Sequence, residues 1–220
     1  MHIPDGFLSA PVTAGSFAVS ALGVGIAVSR LKGRLEDKQV PLLGVTAAFV
    51  FAAQMLNFPV AAGTSGHFLG AAFLTALLGP GAALLVLSLV ISLQCLLFAD
   101  GGLTALGANV LNMGLVAVGT AWLVQGLGSR LPRKPRLWVT GLSAWISVVA
   151  ASIACAAELA LSGAAPWKSA LFAMAGVHAV IGVGEALITV SVLSVVAKTR
   201  PDLLSLNRPV TPGVAWEGRP

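Results

Sequence analysis

The chain has 220 residues, 57% of them hydrophobic and only 10% charged, with a formal net charge of +5. A soluble domain carries about 25% charged residues, so the composition excludes a soluble globular fold and identifies an integral membrane protein. The length accommodates roughly six to eight spans of about 20 residues each with their loops.

The chain opens with Met1-His2-Ile3-Pro4-Asp5-Gly6-Phe7, ahead of the first apolar run. A cleavable signal peptide needs a positive n-region, and the first basic residue is Arg30, so Met1 is expected to stay in the mature protein. Pro4 fixes φ and Asp5-Gly6 favours a tight turn. This shapes the terminus and allows it to tuck back into the protein.

Apolar runs bounded by Gly, Pro or charge then predict seven helices, over 9–29, 41–58, 61–79, 81–98, 103–127, 138–161 and 168–197. Residues 1–200 read as one seven-helix transmembrane domain and 201–220 as a short cytoplasmic tail. Arg30, Lys32, Arg34 and Lys38 follow the first helix, and Arg130, Arg133, Lys134 and Arg136 lie between the fifth and sixth. Lys198, Arg200, Arg208 and Arg219 follow the seventh, and Lys168 alone falls in the other set of loops. Cytoplasmic loops carry the Lys/Arg excess. Seven spans with the N-terminus outside and the C-terminus cytoplasmic place all three clusters on one side.

The third helix is irregular. Its apolar part, Phe68 to Leu78, is too short to span alone, and Gly63-Thr64-Ser65-Gly66 is a poor helix sequence. Irregular backbone at membrane depth survives where it is buried in protein or lines a cavity. The orientation puts it on the outer side with Met1, so His67 and the N-terminus are expected to be neighbours in depth.

Chemistry has few places to reside in this chain. A free Met1 amine, the His2 amide nitrogen and the His2 imidazole can wrap a metal ion in fused chelate rings, three nitrogens in one plane. A fourth must come from His67 or His178, the other imidazoles; the depth argument favours His67. Divalent ions that accept planar nitrogen donors are Ni(II) and Cu(II), with Co(II) close behind. Thr64 and Ser65 can hydrogen-bond the ion's ligands or the inserted backbone. Gln54 and Asn57 flank the segment leading to His67. Asn109 and Asn112, three apart, share a helix face, and these amides read as packing and orienting residues around the terminus. Polar residues within spans are functional candidates. His178 and Glu185 lie two turns apart on the last helix, with Glu158 on the sixth, as an internal polar pair or a second ion path. Cys95 and Cys155 sit in apolar runs and read as small core residues. Small residues four apart in the first helix (Ala14 with Ala18, Ala21 with Gly25, Gly23 with Ala27) permit close packing. No G-x-x-x-x-G-K-[ST] occurs, so ATP hydrolysis through a P-loop would belong to another chain.

Three stretches carry a family resemblance: Met1-His2-Ile3-Pro4-Asp5-Gly6-Phe7-Leu8, Gly63-Thr64-Ser65-Gly66-His67-Phe68-Leu69-Gly70 and Gly107-Ala108-Asn109-Val110-Leu111-Asn112-Met113-Gly114. They resemble the CbiM/NikM family, the substrate-binding membrane subunits (S components) of energy-coupling-factor cobalt and nickel transporters. The resemblance implies a seven-helix bundle with the N-terminus inserted. It implies an ion held by the Met1 amine, the His2 amide and imidazole, and the His67 imidazole. It also implies partners: a transmembrane coupling subunit, two cytoplasmic ATPases and a small accessory membrane subunit, in a bacterial or archaeal plasma membrane. The ion, Ni2+ or Co2+, is cargo, and neither a cofactor nor a nucleic-acid partner is expected.

Two other classes are weighed against it. An intramembrane hydrolase could use Ser65 and His67, but Gly63-Thr64-Ser65-Gly66-His67 lacks the second glycine of the nucleophile elbow, so no enzyme is expected. An ion-coupled secondary transporter could use Glu158, His178 and Glu185. Reference values of about 6.5 for His and about 7.7–8.0 for the amine predict affinity falling steeply between about pH 8 and pH 6, with more than one proton released per ion.

Overall fold

The computed structural model describes residues 1–33, 39–59 and 65–204. The expectations for Arg34, Lys38, Gly63, Thr64, Arg208 and Arg219 lie outside the described residues, as does the tail from residue 205.

The chain folds as helices α1 (Ala10–Leu31), α2 (Val40–Gln54), α3 (Ala71–Leu78), α4 (Pro80–Phe98), α5 (Leu106–Val110), α6 (Ala117–Leu127), α7 (Arg133–Leu161) and α8 (Trp167–Thr199). Strands β1 (Asn57–Pro59) and β2 (Ser65–His67) lie between α2 and α3, and a π-helical segment, Leu111–Val116, joins α5 to α6. Prolines set several starts. Pro11, Pro41 and Pro80 occupy the first two positions of α1, α2 and α4, where a missing N–H costs nothing and the fixed φ is already helical. Gly79, at φ 80°, ends α3 and starts α4, a left-handed backbone that a side chain would oppose.

Five segments are long and apolar enough to cross a membrane: Ala10–Leu31, Pro80–Phe98, Leu106–Leu127, Lys134–Leu161 and Trp167–Thr199. This is a mostly helical, multi-pass membrane protein. The two remaining predicted helices differ from expectation. Helix α2 has 15 residues and stops at Gln54, and α3 has 8 and starts at Ala71, both short of the roughly 20 that span a bilayer. Between them β1 and β2 pair antiparallel, with Asn57 opposite His67, Phe58 opposite Gly66 and Pro59 opposite Ser65. Pro59 disfavours a helical residue before it, and Gly66 and Gly70 weaken any helix through His67.

The bundle is built around α3, buried from Ala71 to Leu77, with α4, α6 and α7 packed on it. Helix α8 buries one stripe at helical spacing (Ala170, Met174, His178, Gly182, Glu185, Thr189, Leu193, Ala197) and lies along α7. Its opposite face, with Phe172, Val180 and Leu187, is exposed and apolar, as lipid contact requires. Helix α1 closes on α5, where the Ser20 hydroxyl donates to the Gly107 carbonyl at 2.6 Å. A Cβ on Gly107 would collide with the Phe17 backbone. Of the small α1 residues, Gly23 closes on Leu115 and Ala27 is buried, whereas Ala14, Ala18, Ala21 and Gly25 face outward. Both cysteines are buried and free, as expected.

Candidate metal centre

The first nine residues do not join a helix; they turn into the bundle. The Asp5 carboxylate accepts the Thr104 N–H at 2.7 Å and the Thr104 hydroxyl at 2.5 Å. These bonds, first that from the hydroxyl, hold the carboxyl below the usual aspartate range. Deeper in, the Ile3 N–H donates to Asn109 Oδ1 at 2.8 Å, and Asn109 Nδ2 returns a bond to the Ile3 carbonyl at 3.2 Å. The Gly102 N–H donates to the same carbonyl at 2.9 Å. A Cβ on Gly102 would run into the backbone of Pro4 and Asp5, so glycine is what lets the 100–102 loop close over the terminus. Pairing both Ile3 backbone groups satisfies an irregular segment away from water.

This anchoring buries Met1, His2 and Ile3, none more than 3% exposed. The His2 and His67 rings meet at a centroid separation of 4.9 Å, tilted by 31°. The expected adjacency of the terminus and His67 is therefore present. Neither His2 ring nitrogen has a hydrogen-bond partner. His67 Nδ1 lies 2.6 Å from the Phe68 carbonyl; a carbonyl only accepts, so Nδ1 carries the proton and the buried, unpartnered Nε2 presents its lone pair. A metal-binding histidine is commonly fixed in this way, through its other nitrogen.

The non-helical stretch carrying His67 is held from two sides. The Glu185 carboxylate on α8 accepts the Leu69 N–H at 2.5 Å and the Gly70 N–H at 2.7 Å. Gln54 Nε2 on α2 donates to the Leu69 carbonyl at 2.8 Å. Gly70 stands at φ 83°, and a Cβ there would press on Val50. Gln54 thus bonds the backbone two residues beyond His67. Asn57 and Ser65 are placed as backbone in β1 and β2.

The two asparagines separate. Asn109 binds the terminus, while Asn112 Nδ2 donates to Glu158 Oε2 at 2.5 Å. The π-helical turn that begins at Leu111 breaks the shared α-helical face on which the pairing rested. Nor do Glu158, His178 and Glu185 form one carboxylate site. Glu158 is bound to Asn112, Glu185 to two backbone amides, and His178 Nδ1 donates to the Met174 carbonyl at 2.7 Å. Among the described residues no group of three His, Cys, Asp or Glu side chains is placed to hold a metal.

Sequence reasoning missed Asp100, whose Oδ2 lies 3.8 Å from His2 Nε2. The signal was an acid followed by Gly101-Gly102 between two apolar runs. That reasoning set the donors at their free-solution values, without the effect of burial. Burial lowers the Met1 amine to about 5 and His2 to about 3, the latter with help from the neighbouring amine. Both stand ahead of the first spanning helix and are neutral at pH 7, ready to donate lone pairs.

Residues 2–203 match the family described as "Cobalt uptake substrate-specific transmembrane region", CbiM. The chain is 40% identical over 206 residues to a putative fused nickel transport protein NikMN of Archaeoglobus fulgidus, covering 93% of this chain and 68% of that protein. It is 35% identical to a cobalt transport protein CbiM of Roseiflexus sp., covering 94% and 86%. A solved structure of a truncated transition metal transporter superposes with a TM-score of 0.85 at 32% identity, over 90% of this chain and 99% of that one. The chain belongs to the CbiM family of cobalt and nickel transport membrane proteins, which are transporters and not enzymes.

Proposed function

We propose that this chain is the ion-capture subunit of an importer for nickel or cobalt. It holds the ion between the Met1 amine, the His2 amide nitrogen, the His2 imidazole through Nδ1, and His67 Nε2. The observation that carries the reading is the contact of the His2 and His67 rings at 4.9 Å, their free nitrogens buried beside an anchored chain terminus. Amine, amide and imidazole of successive residues form fused rings that favour a planar nitrogen set, which suits Ni(II) and, next, Co(II). Thr64 and Ser65 lie beside His67 in sequence and are assigned a supporting role there.

Capture is the whole chemistry of this chain. Energy comes from partner chains in an energy-coupling-factor assembly: a transmembrane coupling subunit, two ATPases and a small accessory membrane subunit. The absence of a P-loop motif supports separate ATPases. The N-terminus lies outside, and α2 and the hairpin with α3 complete seven crossings. The basic residues Arg30 and Lys32 at the end of α1, Arg130 to Arg136 before and in α7, and Lys198 and Arg200 at the end of α8 then share the cytoplasmic side.

Acetylating the Met1 amine tests the reading. It ties up the amine lone pair in an amide and removes one of the four donors, so high-affinity nickel binding is lost while helical content by circular dichroism is kept. Unchanged nickel affinity in the acetylated protein contradicts the terminal-amine site.

A further inference from the structure

The ligand set leaves one feature of His2 unexplained: its second ring nitrogen. When Nδ1 faces the ion, the imidazole proton must sit on Nε2. That nitrogen is buried and has no hydrogen-bond partner, and a buried N–H without an acceptor is destabilising. The polar atom in front of it is Asp100 Oδ2, 3.8 Å away. Asp100 begins the loop whose Gly102 N–H is bonded to the Ile3 carbonyl at 2.9 Å. The carboxylate and the His2 ring are therefore tied to one another through a hydrogen bond that starts one residue after His2 and two residues after Asp100. Its side chain is 17% exposed, whereas that of His2 is 2% exposed, so the carboxylate bridges solvent and the buried ring.

We propose that Asp100 is the positioning residue of the ion site: its carboxylate accepts the Nε2–H of ion-bound His2, completing a carboxylate–histidine–metal line. This rests on the reading of Met1, His2 and His67 as the ion's ligands. The closing shift is small, from 3.8 Å to about 2.8 Å, the length of a charge-assisted N–H···O bond. It has three consequences. The acceptor fixes the tautomer that frees Nδ1. The carboxylate raises the donor strength of the imidazole. Its charge also offsets the net positive charge that a divalent ion and one amide anion leave in a buried site. The His67 counterpart is the Phe68 carbonyl at Nδ1, so each imidazole has a distinct acceptor behind it.

The test compares Asp100→Ala and Asp100→Asn with the unaltered full-length chain in detergent, using Ni2+ alone as the probe. Affinity is read by calorimetry and the ligand field by the visible absorption of the bound ion. Asp100→Ala is expected to weaken nickel binding about 10–100-fold and to move the ligand-field band to longer wavelength, because His2 becomes a weaker donor. Asp100→Asn keeps a carbonyl acceptor and recovers part of both effects; it carries the test alone if the alanine variant does not elute as monodisperse protein. An unmoved band, or unchanged affinity, overturns the inference, since a residue that only shapes the loop leaves the ligand field alone. If the unaltered chain itself binds no nickel, the ligand reading fails first.

Discussion

Proton release on ion binding can be worked from burial. The Met1 amine is lowered from 8.0 to about 5 and His2 from 6.5 to about 3, chiefly by desolvation of the charged forms. A base with a depressed pKa is neutral above that value, so at pH 7 neither donor holds a proton for the ion to displace. The His2 amide is the exception: its proton leaves only when the ion replaces it. Binding at pH 7 should therefore release about 1 proton, and the association constant should rise about tenfold per pH unit. The slope steepens toward two only below about pH 5, where the amine protonates. Donors at their free-solution values give a different result. An amine near 7.8 and two imidazoles near 6.5 are about 0.9 and 0.2 protonated at pH 7, so the total release becomes about 2.3. Calorimetric titration of Ni2+ into the full chain, in two weakly coordinating buffers of different ionisation enthalpy, measures the number directly. A release of two or more protons at pH 7 refutes the buried, neutral terminus. A release near zero refutes amide ligation.

His67→Ala should abolish high-affinity nickel binding, whereas His178→Ala should leave one ion per chain by metal analysis, because the His2 ring meets His67; the reverse result would assign the fourth donor to α8. Glu185→Ala strips the acceptor from the Leu69 and Gly70 N–H groups, each worth about 1–3 kcal/mol when left buried and unpaired. It should lower the melting temperature in detergent and weaken ion binding together, with Glu185→Gln milder in both. A stable Glu185→Ala protein with full affinity would show that the clamp does not position His67.

What the sequence made legible was what local chemistry determines. Long apolar runs interrupted by proline and charge gave the spanning helices. The terminal Met1-His2 pair and the glycine-rich stretch before His67 gave the expectation that the two are neighbours, and the His2 and His67 rings do meet. The pairing of Asn57–Pro59 with Ser65–His67 was not legible, since three-residue strands show no period and were absorbed into the neighbouring apolar runs. Asn112 was grouped with Asn109 because a π-helical turn leaves no mark in residue spacing. Glu185 read as part of an internal polar pair or a second ion path with His178 because its true partners, the Leu69 and Gly70 amides, lie 115 residues or more away in the chain. Burial of the amine was not legible for the same reason: it depends on the tertiary fold, through the Asn109 anchor and the 100–102 loop.

The central claim is a four-nitrogen plane built from the chain terminus and two imidazoles. X-ray absorption at the nickel K-edge of the full chain, loaded with one equivalent of Ni2+, tests it most directly. The account predicts an edge with the resolved feature of a square-planar ion and outer-shell scattering from two imidazole rings. An edge typical of six oxygen neighbours, or a sulfur neighbour, would contradict it.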